Sequence, residues 1–315
     1  DYYIQTSQGT ATKVASSITY SEPRSPTLLR DINPLFQGTA GYCFPIGNSG
    51  NSELLARFIE LSKSALEYFH EMHEFDRWPD VIIASSVLPN QISVEPFCEL
   101  MRQSGLSIGR NVHFVSTACT SAATAMELFK VSHLNDVIIL GIDLFSEITV
   151  SGFNSIGAFS SEFPEPFSEH NGMGLGDGIG GIYLSKDSCA EDYVFFVDSI
   201  QLGIEAFHAT TPDPSARVAV NMVKQTLEKM KSEDITWCLH ATGTQSNDRS
   251  ERTLVRKIQE RFPDIKFRFR EYKSIFGHTL GACPLEELLA LIDQEVHCKE
   301  FELSNLFDFQ NRIIF

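Results

Sequence analysis

The chain has 315 residues, 43% of them hydrophobic and 21% charged, enough apolar material to bury a large core in one big domain or two fused halves. Its formal charge of −16 argues against a nucleic-acid partner, because phosphate binding needs a concentrated basic surface. The longest apolar stretches, DVIIASSVL and DVIILGIDLF, are too short to span a bilayer, and the first residues carry no basic segment followed by an apolar one, so a soluble cytoplasmic protein is expected.

In chain order, helical periodicity over 52–70 precedes a β-branched run at 80–86 (DVIIASS). A second helix at 95–104 precedes the run 112–116 (VHFVS), and a third at 119–131 precedes 136–142 (DVIILGI). A further series follows: DYVFFVDSIQLGI as a long strand, ARVAVNMVKQTLEKM as an amphipathic helix, ITWCLHATG as a strand, and NDRSERTLVRKIQERF and LGACPLEELLALIDQEV as helices, with RIIF as a last strand. This alternation reads as an α/β layered fold, and two similar halves around a buried junction explain the rhythm. The division falls at residues 1–190 and 191–315.

Seven cysteines (Cys43, Cys98, Cys119, Cys189, Cys238, Cys283, Cys298) form no C-x-x-C pair, and the odd number favours free thiols over disulfides and argues against a cysteine metal site. Cys119 is singled out by VSTACTSAATAMELF, where a strand turns into a helix among small residues. At a first helical turn, backbone N–H groups and the helix dipole favour thiolate, which makes a nucleophile. A buried structural cysteine is the competing reading. Two later segments add weight: LHATGTQSND ends a strand on His240 and continues through Thr242 and Thr244, and KSIFGHTLGA sets His278 after a glycine with Lys273 five residues upstream.

STACTSAA, HATGTQSND and KSIFGHTLGA resemble, in order, the three active-site motifs of the β-ketoacyl-acyl-carrier-protein synthases, the elongating condensing enzymes of the thiolase superfamily. GFNSIGAFS, PFSEHNGMGLGDGIGGIYLSKD and EAFHATTPDP resemble the segments between them, with Glu205 where the family carries aspartate. The resemblance covers about residues 80–290. It implies a thiolase-like fold, two α/β halves stacked as five α-β-α-β-α layers, with Cys119 in the N-terminal half and both histidines in the C-terminal half.

It also implies an acyltransferase. Cys119 would take an acyl group from a carrier-protein thioester, and His240 and His278 would stabilise the enolate left by decarboxylation of malonyl-carrier protein. Lys273 would organise the histidines. Thr210, Thr242 and Thr244 would hydrogen-bond the phosphopantetheine arm, delivered by the acyl carrier protein with no cofactor bound to the chain itself. Asp248, Glu251 and Glu287 would stand behind these groups, with no metal. A Cys-His-His set separates elongating enzymes from initiating ones, which carry asparagine in place of His278, and from thiolases, which use a second cysteine.

Departures from the family pattern are expected to matter. The opening DYYIQTSQGTATKVASS does not show the usual first strand and glycine turn, and the chain stops at FDFQNRIIF, before the usual glycine-rich gating loop, so that either the chain is incomplete or another arrangement serves. An acidic carrier protein needs a basic patch, for which Arg57, Lys63, Arg102 and Arg110 are candidates. The family's dimers, homodimeric or heterodimeric with a related ketosynthase, give the rival reading: a non-catalytic partner like a chain-length factor. A decarboxylase that forms acetyl-carrier protein without condensing is a third. Fatty-acid, polyene and polyketide pathways use the same set of residues.

Overall fold

The computed structural model describes residues 2–6, 9–14, 17–20, 27–28, 42–44, 46, 54–73, 75, 77–88, 93–106, 108, 111–144, 146–169, 172–186, 197, 199–208, 211–230, 234–292 and 299–300, with side chains from Ile46 to Ile292. Three short strands open the chain, β1 (Tyr2–Thr6), β2 (Gly9–Val14) and β3 (Ser17–Tyr20), followed by β4 (Thr27–Leu28) and β5 (Tyr42–Phe44). Then come α1 (Leu54–Met72), β6 (Asp80–Ala84), α2 (Val94–Gln103), β7 (Val112–Val115), α3 (Ser121–Val131), β8 (Asp136–Asp143) and α4 (Glu147–Ser155). Strands β9 (Leu175–Gly176) and β10 (Gly178–Ser185) complete this series.

Among the described residues these strands form a seven-stranded sheet in the order β3-β2-β1-β10-β8-β6-β7 and a small sheet β4-β5-β9. Strands β6, β7 and β8 are parallel, whereas β10 and β1 join antiparallel. The opening thus supplies a strand after all: Tyr2–Gln5 pairs with Ile179–Ile182, and the β-branched and aromatic residues there suit an extended chain despite the missing motif.

The second series is α5 (Arg217–Lys229), β11 (Asp234–Cys238), α6 (Gln245–Arg261), β12 (Lys266–Glu271), the short α7 (Lys273–Phe276), a 3₁₀ turn at Leu280–Ala282, α8 (Cys283–Ile292) and β13 (Lys299–Glu300). Strands β11 and β12 pair in parallel and β13 joins antiparallel. The described part of this sheet has three strands against seven in the first.

Side-chain alternation sorts the cores. Val81 and Ile83 of β6, with Ile138, Leu140 and Ile142 of β8, pack under α1 and α2, while Ile82, Ala84, Val137 and Ile139 face α3 and α8 on the other side. Both faces of these strands are covered, hence their continuous apolar runs. Beyond α3 and α8 lies β11: Cys238 points back to them, while Ile235 and Trp237 point to Leu254, Val255 and Ile258 of α6. The layers therefore run helices, sheet, helices, sheet, helices. Helix α8, late in the chain, packs on β1, β8, β10 and α3 of the first series.

Two expected elements differ. The strand read over DYVFFVDSIQLGI lies partly outside the described residues, and its described part, 199–204, has no regular structure. Gly203 instead lies so close to Val218 and Met222 of α5 that the segment follows that helix. The strand read through His240 stops at Cys238, because Ala241 adopts a left-handed φ of 44°. The expected strand RIIF lies outside the described residues.

Candidate active site

Cys119 stands on the turn between β7 and α3, two residues before the helix begins, and Ala118 reverses the chain with a φ of 53°. Ser121, fully buried, ties this turn: its Oγ accepts from Thr117 N at 2.9 Å and lies 2.7 Å from Ala118 O and 3.1 Å from Ser85 O as donor. Below it, Asp143 at the end of β8 accepts from Ser85 Oγ (3.0 Å), Ser86 Oγ (2.8 Å), Ser86 N (2.7 Å) and Gly281 N (2.7 Å). Burial pushes the Asp143 carboxyl up to about 6 against those hydrogen bonds. One carboxylate thus joins the Cys119 turn to the turn after His278.

Burial also pushes the Cys119 thiol up to about 11, with the Lys273 charge pulling the other way. The sequence expectation of a thiolate at a helix start is overturned here. Cys119 precedes the helix instead of sitting in its first turn, and burial outweighs the Lys273 charge.

Cys119 Sγ lies 3.2 Å from His278 Nε2. The His278 ring is 5.1 Å, centroid to centroid, from that of His240, at 87°. His278 is buried, and burial, Lys273 and His240 all hold its pKa well below the ordinary imidazole value. His240 is open to solvent yet surrounded by enough protein, with Lys273 nearby, to have its pKa lowered as well. Both imidazoles are neutral donors or acceptors near pH 7.

Each histidine is set by its backbone. Glu251 accepts from His240 N at 2.5 Å, Ala241 N at 2.8 Å and Asn247 Nδ2 at 2.9 Å, which stabilises the reversal at Ala241. Burial lifts this carboxyl to about 7 against those bonds. His278 N donates to Gly174 O at 2.8 Å and His278 O accepts from Gly176 N at 3.0 Å, so the residue is pinned to the glycine-rich run before β10. Lys273, buried, donates to Glu287 Oε1 at 2.5 Å. Burial opposes its charge, but Cys283 and Glu287 together raise its pKa, so it stays a cation beneath the histidines.

The structure thus brings Cys119, His240, His278, Lys273, Glu251 and Glu287 into one region. Thr242 Oγ1 and Thr244 Oγ1 lie 3.0 Å apart where α6 begins. Thr210 lies outside the described residues. Asp248, in the first turn of α6, accepts from Phe167 N at 2.6 Å and ties down the loop before β9. Glu205 accepts from Asp213 N at 3.0 Å. Of the candidate basic patch, Arg57 is withdrawn, buried against Asp177 at 2.5 Å; Lys63 and Arg102 stay at the surface, paired with Glu67 and Glu99, and Arg110 lies outside the described residues.

Asp143, Ser121 and Glu286 were not singled out by sequence reasoning. A lone acid closing the apolar strand DVIILGID was the available signal for Asp143. Two successive acids inside PLEELLALI were the signal for Glu286 as well as Glu287.

No described helix is long and apolar enough to cross a membrane. Cys119, Cys238 and Cys283 form no disulfide among the described residues.

Residues 196–294 match the family model described as the C-terminal domain of beta-ketoacyl synthase. A non-reducing polyketide synthase of Pseudevernia furfuracea is 26% identical over 199 residues, which are 56% of this chain and 9% of that protein's length. The chain therefore corresponds to a small part of that much longer relative. Among solved structures, the ishigamide ketosynthase/chain length factor matches at a TM-score of 0.65 and 17% identity, over 92% of this chain and 83% of the other. The type II polyketide ketosynthase AntDE bound to its acyl-carrier protein AntF matches at 0.61 and 16%, over 82% and 75%. These two share the thiolase-like fold with this chain.

Proposed function

We propose, from the premise that this is a thiolase-superfamily chain of the β-ketoacyl synthase type, that it condenses an acyl group held on Cys119 with a malonyl unit delivered on a carrier protein. The observation that carries this reading is the contact of Cys119 Sγ with His278 Nε2 at 3.2 Å, with the ring of His240 beside it.

In the first half-reaction Sγ attacks the carbonyl of an acyl thioester, its proton passes to His278 Nε2, and the carrier thiol leaves with a proton. In the second, the malonyl thioester loses carbon dioxide, and N–H groups of His240 and His278 hold the enolate oxygen. The enolate carbon bonds to the acyl carbon as the bond to Sγ breaks, and the thiolate is reprotonated. Neutral imidazoles suit the second step, because they stabilise the enolate without handing the carbon a proton. Burial, with Lys273 beside it, returns both imidazoles to the neutral form between steps, so that His278 holds the Sγ proton only until the carrier thiol leaves with it. Thr242 and Thr244 are the proposed contacts for the phosphopantetheine arm, with Thr210, and the cytoplasm is the proposed compartment.

The open edge of β7 favours a second chain in the assembly, a copy of this one or a related ketosynthase. Strand β7 ends the seven-stranded sheet, and Ser116, Thr117, Ala118 and Thr120 beside it are exposed. If that second chain were the catalytic one, this chain would act as its non-condensing partner.

Intact-protein mass spectrometry decides between the two roles. The protein, with its partner synthase where one is encoded, is mixed with acyl-carrier protein and then with malonyl-carrier protein. An adduct on Cys119 that is absent in Cys119→Ala and discharges as a longer β-ketoacyl product supports condensation. A folded protein without adduct, beside a partner that does form one, supports the non-condensing role.

A further inference from the structure

Glu286 is fully buried on α8, one position before Glu287, and the reaction proposed above does not use it. Its neighbours explain how it fits. On the alternating run GLGDGIGG, a Cβ at Gly178 would lie 1.8 Å from Glu286 Oε1, and one at Gly180 would lie 3.3 Å from Glu286 Cγ. The glycines cut a groove that the glutamate side chain fills. In this groove the hydroxyl of Thr279, itself fully buried, donates to Glu286 Oε2, and Glu286 Oε1 has no hydrogen-bond partner among the described residues.

Thr279 directly follows His278. Gly281, two residues further on, donates to Asp143 Oδ2 at 2.7 Å. The turn that carries His278 is therefore held at two points by two buried carboxyl groups from different elements: Asp143, which also organises the Cys119 turn through Ser85 and Ser121, and Glu286. We propose that Glu286 is a positioning residue that acts through Thr279 to keep His278 Nε2 in hydrogen-bonding reach of Cys119 Sγ.

The other buried carboxyl groups nearby have stronger company. Glu287 has Lys273, Asp143 has four donors and Glu251 has three N–H groups, whereas Glu286 has one hydroxyl. Burial with so little polar company disfavours the charged form of the carboxyl. Burial accordingly drives its pKa well above the ordinary carboxylate value, opposed by the Thr279 hydroxyl and reinforced by Asp143 and Glu287. A neutral amide at this position should therefore serve, whereas an apolar side chain should not.

This inference deepens the condensing-enzyme reading and rests on its Cys119–His278 pair. Alkylation of Cys119 by iodoacetamide at neutral pH tests it without any carrier protein, so its failure and the failure of that reading are distinguishable. Glu286→Leu and Thr279→Val should each slow alkylation by about tenfold or more, because a small misplacement of a reacting pair is expensive. Glu286→Gln should stay within about twofold of the parent, since its carbonyl still accepts from Thr279. In a His278→Ala background neither Glu286→Leu nor Thr279→Val should slow the reaction further, because residues acting as a unit are not additive. Equal slowing in both backgrounds would mean a general loss of structure and would overturn the proposal. So would unchanged rates in both variants, or a Glu286→Gln protein as slow as Glu286→Leu. If Glu286→Leu does not fold, the near-isosteric Thr279→Val carries the test alone.

Discussion

Cys119 and His278 meet uncharged, and that determines how the pair responds to pH. A thiol held at about 11 by burial is almost wholly protonated at neutral pH, and an imidazole whose pKa is far below its ordinary value is free to take the proton as sulfur reacts. The product of thiol and neutral imidazole is then constant across the neutral range. Iodoacetamide alkylation of Cys119 is expected to be flat between about pH 6 and pH 9, the signature of a general base and not of a preformed thiolate. In His278→Ala the rate should fall at neutral pH and climb about tenfold per unit as hydroxide generates thiolate, up to about pH 11. A parent profile that already climbs with that slope would remove the imidazole from the step. Burial, reinforced by the Lys273 charge, explains why both histidines stay neutral, and the pairing of Lys273 with Glu287 at 2.5 Å explains how a buried ammonium is tolerated.

At the scale of elements, glycines decide where the turns that carry Cys119 and His278 can stand. A Cβ on Gly176 would come 2.1 Å from Phe276 O and 2.8 Å from Thr279 Cγ2, so β9 approaches the His278 turn backbone to backbone. One on Gly281 would come 2.6 Å from Ser86 N and 2.8 Å from Asp143 Oδ2, at the crossing of β6, β8 and the 3₁₀ turn. Gly176→Ala is expected to cost about 1–3 kcal/mol by overpacking, read as a lower urea midpoint. Gly152 is the contrasting case: it is exposed on α4, and a Cβ there would meet nothing within 4 Å. Gly152→Ala should raise stability by about 0.5–1 kcal/mol through helix propensity. A Gly176→Ala protein as stable as the parent would show that the β9 contact yields easily.

For the whole molecule, the exposed edge at β7 lies next to Cys119. Among the described residues Val112–Val115 pairs with β6 on one side only, and the exposed Ser116 and Thr120 flank the turn that carries Cys119. If two like chains meet there about a two-fold axis, a residue close to the axis faces its own copy. Ser116→Glu is then expected to convert a dimer into a monomer in sedimentation velocity at low salt and to recover part of the dimer at high salt, where the repulsion is screened. An unchanged dimer would place the interface elsewhere. The charge of −16 on each chain makes the same point about an acidic carrier protein: attraction requires a local surface, and Arg57, Lys63 and Arg102 are already paired within the chain.

The α/β alternation was legible in the sequence because β6 and β8, covered on both faces, must be continuously apolar, and because α1 and α6 carry one buried stripe each. Cys119, His240, His278 and Lys273 were legible because each stands in a short local motif. What the linear pattern could not show is what acts across it. Asp143, Glu286 and the glycines of β9 and β10 gain their roles only from elements distant in the chain, and the segment at 199–204 follows α5 instead of entering a sheet. The charge state of Cys119 belongs to the same class. Local position at a helix start favoured a thiolate, but desolvation is a sum over every neighbouring atom, and only the packed tertiary structure determines that sum.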